Sequence, residues 1–201
     1  MNLNQLKISL MFSWIAFTLT LGSAEAQMVH KDAEEVKPVA LGTIIPNLPL
    51  TDSEGKQINT HDLVKQQGSV LVFYRGGWCP YCNKQLSGLA EINEEIVARG
   101  YQILAISPDN LENLPKTLDK NQLNYQIYSD SGATLITALG IGFKTPGGAK
   151  AYIAANSKGK VTEVLPVPTV LVVDKTGKVI FSHSDANYKE RLSNENLLKA
   201  L

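Results

Sequence analysis

The chain has 201 residues, 44% of them hydrophobic, with 19 basic and 19 acidic side chains and a formal net charge of +0. That length fits one compact domain. The even charge balance gives no electrostatic case for nucleic acid as a partner, and no charge run marks a membrane-surface segment.

The N-terminus reads separately from the rest. Lys7 and the amino terminus make a weakly positive start, Ile8 to Leu21 is apolar and uncharged, and Ala24-Glu25-Ala26 sets small residues before Gln27. This is the pattern of a secretory signal peptide over residues 1–26, with an apolar run too short to span a bilayer comfortably. The expected mature chain begins at Gln27 and is exported, most simply to a bacterial periplasm, with no stable membrane insertion once the signal is cleaved. Residues 27–40 are polar and charged and read as a flexible lead-in to a domain over 41–201. Thr43 to Thr51 carries Pro46 and Pro49, which suits a sheet edge. Ser53-Glu54-Gly55-Lys56 reads as a turn, and Thr60 as the cap of a short helical turn through Leu63 and Val64.

The most informative stretch follows. Val70 to Tyr74 is an unbroken apolar run, the mark of a strand buried on both faces. Gly76-Gly77 ends it, and a helix starts at once with Pro80 in its first turn, where a missing N–H does no harm. The protein's two cysteines sit at that junction as Cys79-Pro80-Tyr81-Cys82. A helix N-terminus presents free N–H groups and about half a unit of positive charge. A thiolate there is stabilised, and the thiolate is the reactive form. Three residues apart, both sulfurs share one turn and can close a disulfide. A purely structural disulfide would gain little from so small a loop. Half of a zinc site would need a second cysteine pair or a close histidine pair. There are no more cysteines, and His30, His61 and His183 are scattered, so no metal or organic cofactor is expected.

Leu86, Leu89, Ile92, Ile96 and Val97 recur at helical spacing and are expected to face the core, with Arg99-Gly100 ending that helix. Ile103 to Ile106 is a second buried strand, and Ser107-Pro108-Asp109-Asn110 is the loop beyond it. Leu111 to Lys120 is helical if the regular helix starts near Pro115. Tyr125 to Tyr128 is a short strand, and Asp130 or Ser131 caps a helix over Ala133 to Leu139. Phe143 to Lys160 reads as a surface insertion near the site, with a helix over Ala149 to Asn156. Pro168 to Asp174 is a strand that turns through Lys175-Thr176-Gly177-Lys178 and pairs back with Val179-Ile180-Phe181. Ser193 caps a final helix. Strands alternating with helices, closed by a hairpin and a helix, predict an α/β architecture with a mixed central sheet flanked by helices. In such sheets the site lies beyond the C-terminal strand ends, where the cysteines and Ser107–Asn110 fall.

Tyr74-Arg75-Gly76-Gly77-Trp78-Cys79-Pro80-Tyr81-Cys82 resembles the active site of the thioredoxin superfamily, and more narrowly the peroxiredoxin-like branch of the alkyl hydroperoxide reductase/thiol-specific antioxidant (AhpC/TSA) family. The resemblance runs from about Leu41 to Leu201 and takes in Pro46-Asn47-Leu48, Tyr128-Ser129-Asp130, Pro168-Thr169 and Asp185 to Arg191. It implies a thioredoxin-like fold with a peroxiredoxin-type N-terminal extension. It also implies a cis Pro168 facing the cysteines and a Thr169 that offers backbone groups to an extended substrate. Cys79 and Cys82 are then the catalytic pair, with Trp78, Arg75, Pro168 and Thr169 at the substrate. The chain departs from the family's Pro-x-x-x-Thr-x-x-Cys. In that register the peroxidatic cysteine falls on Cys82, the threonine on Cys79 and the proline on Arg75. The arginine that polarises the peroxide falls on Pro168. Arg75 or Arg191 is a candidate for the missing charge, against the plainer reading of each as a solvated surface arginine.

Two activities follow from the same two sulfurs. In a peroxide reductase, a thiolate becomes a sulfenic acid, the other cysteine closes a disulfide, and a thioredoxin-like partner reduces it. In an exported thiol–disulfide oxidoreductase, a protein disulfide is attacked and the mixed disulfide is then resolved. A redox-regulated binding module is a third, non-enzymatic possibility. Helix-end electrostatics and greater exposure favour Cys79 as the attacking sulfur, and the family register favours Cys82.

Overall fold

A seven-stranded mixed sheet carries the site in a computed structural model that describes residues 29–158 and 162–201. The expected signal sequence lies outside the described residues. In chain order the strands of this sheet are β1 (Pro49–Asp52), β2 (Gln57–Asn59), β3 (Gly68–Phe73), β4 (Tyr101–Ser107) and β5 (Gln126–Ser129). After β6 (Gly142–Lys144) and β7 (Val164–Pro166), which form a separate two-stranded ribbon, come β8 (Thr169–Val173) and β9 (Val179–Ser184). The spatial order is β2-β1-β5-β4-β3-β8-β9. β4 runs parallel to both β3 and β5, and the other pairs are antiparallel. Among the described residues no helix is long and apolar enough to cross a membrane.

The apolar run in β3 is buried along its whole length because it feeds two cores. Leu71 and Phe73 join Leu104, Ile106, Leu171 and Val173 on one face, covered by Val64 of α1 (Thr60–Val64) and by Leu135 and Ile136 of α5 (Thr134–Ala138). Val70, Val72 and Tyr74 join Ile103, Ala105, Val170 and Val172 on the other face. That face is covered by Leu86 and Leu89 of α2 (Pro80–Glu91), Ile96 of α3 (Asn93–Ala98), Leu114 of α4 (Leu114–Asn121) and Leu197 of α7 (Asn194–Lys199). Both cysteines belong to this second core.

Several local readings hold. The Asp130 carboxylate accepts the Thr134 and Ile136 N–H groups at 2.8 and 2.9 Å and so caps α5. Ser193 Oγ accepts the Asn196 N–H and caps α7. α4 starts beside Pro115 after a 3-10 turn at Leu111–Asn113.

Others are corrected. β1 is not an edge: it sits between β2 and β5, because β5 pairs only with Thr51 and Asp52, beyond both prolines. The helix expected through Val97 breaks at Ile92, where φ is −108° and ψ is 7°. The second segment then turns Ile96 inward and leaves Val97 54% exposed. The lead-in is docked, not flexible, from residue 30 onward. The His30 N–H donates to Gly142 O, His30 O accepts from the Lys144 N–H, and Val39 enters the first core. The insertion is the ribbon β6–β7 with α6 (Gly147–Asn156) between its strands, starting two residues earlier than predicted.

Candidate active site

β3 delivers the chain to a loop, residues 74–79, that is held from below by polar side chains. Gly76 adopts φ +144°, in the region that favours glycine. The Gly77 N–H donates to Asp109 Oδ2 at 2.9 Å, and Gly77 O accepts from Asn83 Nδ2 at 2.9 Å. Asn113 Nδ2 donates to Asp109 Oδ1 at 2.8 Å, and Asn121 Nδ2 to Asn83 Oδ1 at 3.1 Å. All four side chains are buried. Asp109 stands in the loop after β4, beyond the strand ends where a site was expected. Its role as a brace was missed, as was that of the asparagines, because their partners are brought to them only by the fold. Asp109→Ala leaves the Gly77 N–H and the Asn113 amide unpaired. It is expected to cost about 2–3 kcal/mol, read as a lower urea midpoint with an unchanged m-value.

Cys79 is the N-cap of α2: its N–H donates to Gly76 O and its carbonyl accepts the Asn83 N–H. Cys79 lines a cavity of about 740 Å³ whose walls also include Arg75, Trp78, Tyr81, Pro168 and Tyr188. The docked lead-in, residues 31–34, closes one side. Cys82 lies one turn deeper, does not line the cavity, and is fully buried. Cys79 is only 1% exposed, so what separates the two cysteines is which of them lines the cavity rather than their overall exposure.

The two thiols are pushed apart in acidity. Cys79 is lowered to about 6, first by the hydrogen bond from the Cys82 thiol, then by the Cys82 N–H and the charges of Arg75 and Arg191, all against the effect of burial. Cys82 is raised well above the ordinary thiol value by burial, by donating to Cys79 and by the Cys79 charge. Arg191 and the Arg75 backbone pull it the other way.

Both candidate arginines are at the site, and neither is a free surface cation. Arg75 is 8% exposed, with its guanidinium 5.1 Å from the centre of the Trp78 ring and 4.5 Å from that of Tyr188. Such cation–π contacts are worth about 0.5–2 kcal/mol each. Arg191 donates through Nη1 to the carbonyls of Tyr188 and Glu190 and through Nη2 to Cys82 Sγ at 3.5 Å. Neither has a carboxylate partner among the described residues. Trp78 is held edge-on by Tyr152 of α6, and Tyr81 by Tyr188. Tyr152 had no sequence signal of its own, and Tyr188 had only its place in the Asp185 to Arg191 segment of the family resemblance.

The far wall differs from expectation. The bond between Val167 and Pro168 is trans, so the cis proline implied by the family resemblance is absent. Trans is the ordinary isomer of an X–Pro bond. Pro168 still lines the cavity, but Thr169 does not: it is 1% exposed, in register between Phe73 of β3 and Ser184 of β9. The backbone here is already engaged. The Val167 N–H donates to Ile141 O, Val167 O accepts from Thr169 Oγ1, and Pro168 O accepts the Asp185 N–H. Thr169 is therefore not placed to hold an extended substrate. No cluster of three His, Cys, Asp or Glu side chains suited to a metal occurs among the described residues.

A model of the AhpC/TSA family matches residues 41–182. A peroxiredoxin, bcp1, of Schizosaccharomyces pombe is 29% identical over 155 residues, covering 75% of this chain and 78% of its own length. The thiol-disulfide oxidoreductase ResA of Bacillus cereus is 26% identical over 187 residues, covering 92% of this chain and 94% of its own. A crystal structure of reduced Prx3 from Vibrio vulnificus, in complex with hydrogen peroxide, superposes with a TM-score of 0.68 at 20% identity. It covers 81% of this chain and 98% of that one, a likeness that shows the thioredoxin-like fold.

Proposed function

This chain belongs to the AhpC/TSA family, and on that premise we propose that it is a thiol-dependent peroxide reductase in which Cys79 attacks and Cys82 resolves. The observation that carries the assignment of roles is that Cys79 lines the cavity, with its pKa lowered to about 6, while Cys82 lies in the core with its proton held. The Cys79 thiolate attacks one peroxide oxygen, and the O–O bond breaks. One oxygen stays on sulfur as the sulfenic acid, and the other leaves as alkoxide or hydroxide and takes a proton from solvent. The buried Arg75 guanidinium lies beside Cys79, where it offsets the negative charge of the thiolate and of the departing oxygen. The Cys82 sulfur then bonds to that of Cys79, the hydroxyl of the sulfenic acid leaves as water with the Cys82 proton, and a thioredoxin-like dithiol reduces the disulfide. The exported setting belongs to the same reading, supported by the uncharged Ile8 to Leu21 run and the small residues after it.

A second reading, a reductase of protein disulfides, is supported by the ResA relative and by the paired cysteines at a helix mouth. The engaged backbone of Val167 and Pro168 weighs against it, because the Val167 N–H and both carbonyls are already hydrogen-bonded within the fold. Turnover of hydrogen peroxide and tert-butyl hydroperoxide with a thioredoxin system, measured beside insulin disulfide reduction, separates the two. Catalytic peroxide consumption with insulin reduction near background is expected. The reverse ranking would overturn the assignment.

A further inference from the structure

We infer that Arg191 is the catalytic group of the resolving step: it activates Cys82 for attack on oxidised Cys79, while Arg75 serves Cys79 in the first step. The inference rests on the peroxide reductase reading and extends it.

Resolution is chemically the harder step for this site. Cys82 is fully buried among apolar neighbours that include Leu86 and Leu114, and it must lose its proton to become a nucleophile. A thiol in apolar surroundings is inert unless a cation stands beside it. The one side-chain cation in polar contact with Cys82 Sγ among the described residues is Arg191, through Nη2 at 3.5 Å. Arg191 is built for this contact. Its Nη1 is tied to the Tyr188 and Glu190 carbonyls in the segment between β9 and α7, which leaves the other arm of the fork on the sulfur. Its Nε is buried without a partner, and no carboxylate neutralises it among the described residues.

The order of events follows from charge. While Cys79 is a thiolate, it accepts the Cys82 proton in a hydrogen bond, and its charge opposes ionisation of Cys82. Conversion of Cys79 to a neutral sulfenic acid removes that charge and leaves only a weaker, uncharged acceptor. The guanidinium beside Cys82 is then unopposed, and Cys82 ionises only after there is a sulfenic acid to attack. The balance is one sulfenic acid plus one thiol giving one disulfide plus water. The S–O bond breaks, the S–S bond forms, and the Cys82 proton leaves on the hydroxyl.

The test is single-turnover oxidation of reduced wild type, Arg191→Met and Arg191→Lys by one equivalent of hydrogen peroxide. Sulfenic acid is trapped with a 1,3-dione, and disulfide is followed by thiol loss. For Arg191→Met, Cys79 oxidation is expected to slow slightly, because Arg191 is the smallest of the contributions that favour that thiolate, while disulfide formation slows by about 10-fold or more, one pKa unit being a tenfold change in thiolate. Sulfinic acid should then build up at Cys79 under excess peroxide. Arg191→Lys, which keeps the charge, should fall between. Disulfide formation at the wild-type rate in Arg191→Met, or an equal slowing of both steps, would overturn the inference alone. A wild type that forms neither sulfenic acid nor disulfide with peroxide would overturn the peroxide reductase reading beneath it.

Discussion

Cys79→Ser is expected to lower peroxide turnover by about 1,000-fold or more, the scale of losing a catalytic nucleophile, whereas Cys82→Ser still reduces one peroxide per chain and stops at the sulfenic acid. The asymmetry comes from where the two cysteines sit. Cys79 caps α2, lines the cavity and is surrounded by groups that favour its thiolate. Cys82 sits in the second core and is held protonated. Serine at position 82 keeps a hydroxyl that can donate to the Cys79 thiolate in place of the Cys82 thiol, so the first step in Cys82→Ser should be largely preserved. Rapid-mixing oxidation of the two variants, with a count of peroxide consumed per chain, reads both effects. The family register predicts the opposite pattern, in which Cys79→Ser keeps a single oxidation at Cys82.

Gly76→Ala is expected to cost about 100-fold in turnover, the scale of a reacting group displaced by about 1 Å, with the protein still folded. Gly76 sits at φ +144°, and a Cβ there would fall 2.3 Å from Trp78 Nε1, 2.7 Å from Trp78 Cδ1 and 3.2 Å from Asp109 Oδ2. The indole has little room to retreat, since Tyr152 meets it edge-on and Arg75 lies over its face. The strain therefore passes to the backbone, where Gly76 O accepts the Cys79 N–H. Strain at such a position costs about 1–3 kcal/mol, which a lowered unfolding midpoint would show. Gly100→Ala is the control. Gly100 also has a left-handed φ, +84°, but a Cβ there meets nothing within 4 Å. It should lose stability and keep turnover. Equal turnover losses in the two variants would show that the Gly76 effect is not local to the site.

What was legible in the sequence was local. The Val70–Tyr74 run announced a strand buried on both faces, and each of its faces feeds a separate core. Pro80 marked the first turn of α2, Arg99-Gly100 the end of α3 beyond the break at Ile92, and Ser193 the start of α7. What was not legible depended on partners far along the chain. Arg191 was legible as a candidate cation, but not its contact with Cys82, 109 residues away, which exists only because β9 and α7 return the chain over α2. Asp109 braces Gly77 from 32 residues away. The polar composition of residues 27–40 suggests a flexible lead-in, yet the His30 backbone pairs with β6 and Val36 and Val39 pack at the first core, contacts that composition does not record. Pro168 and Thr169 were read through a family resemblance. The structure instead completes a sheet there, with Thr169 bonded inward and the proline alone at the cavity.

The central claim is that the cavity-lining cysteine, Cys79, is the reactive thiolate. Limiting iodoacetamide on the reduced wild-type protein, with labelled peptides quantified across pH, tests it most directly. A lowered pKa means that the thiolate is present above that value and lost below it. Cys79 should therefore be labelled first, at a rate that rises through a midpoint at about 6 and levels off above it, with Cys82 unlabelled until far higher pH. Labelling of Cys82 ahead of Cys79, or a Cys79 midpoint at the ordinary thiol value of about 8.5, would contradict the account.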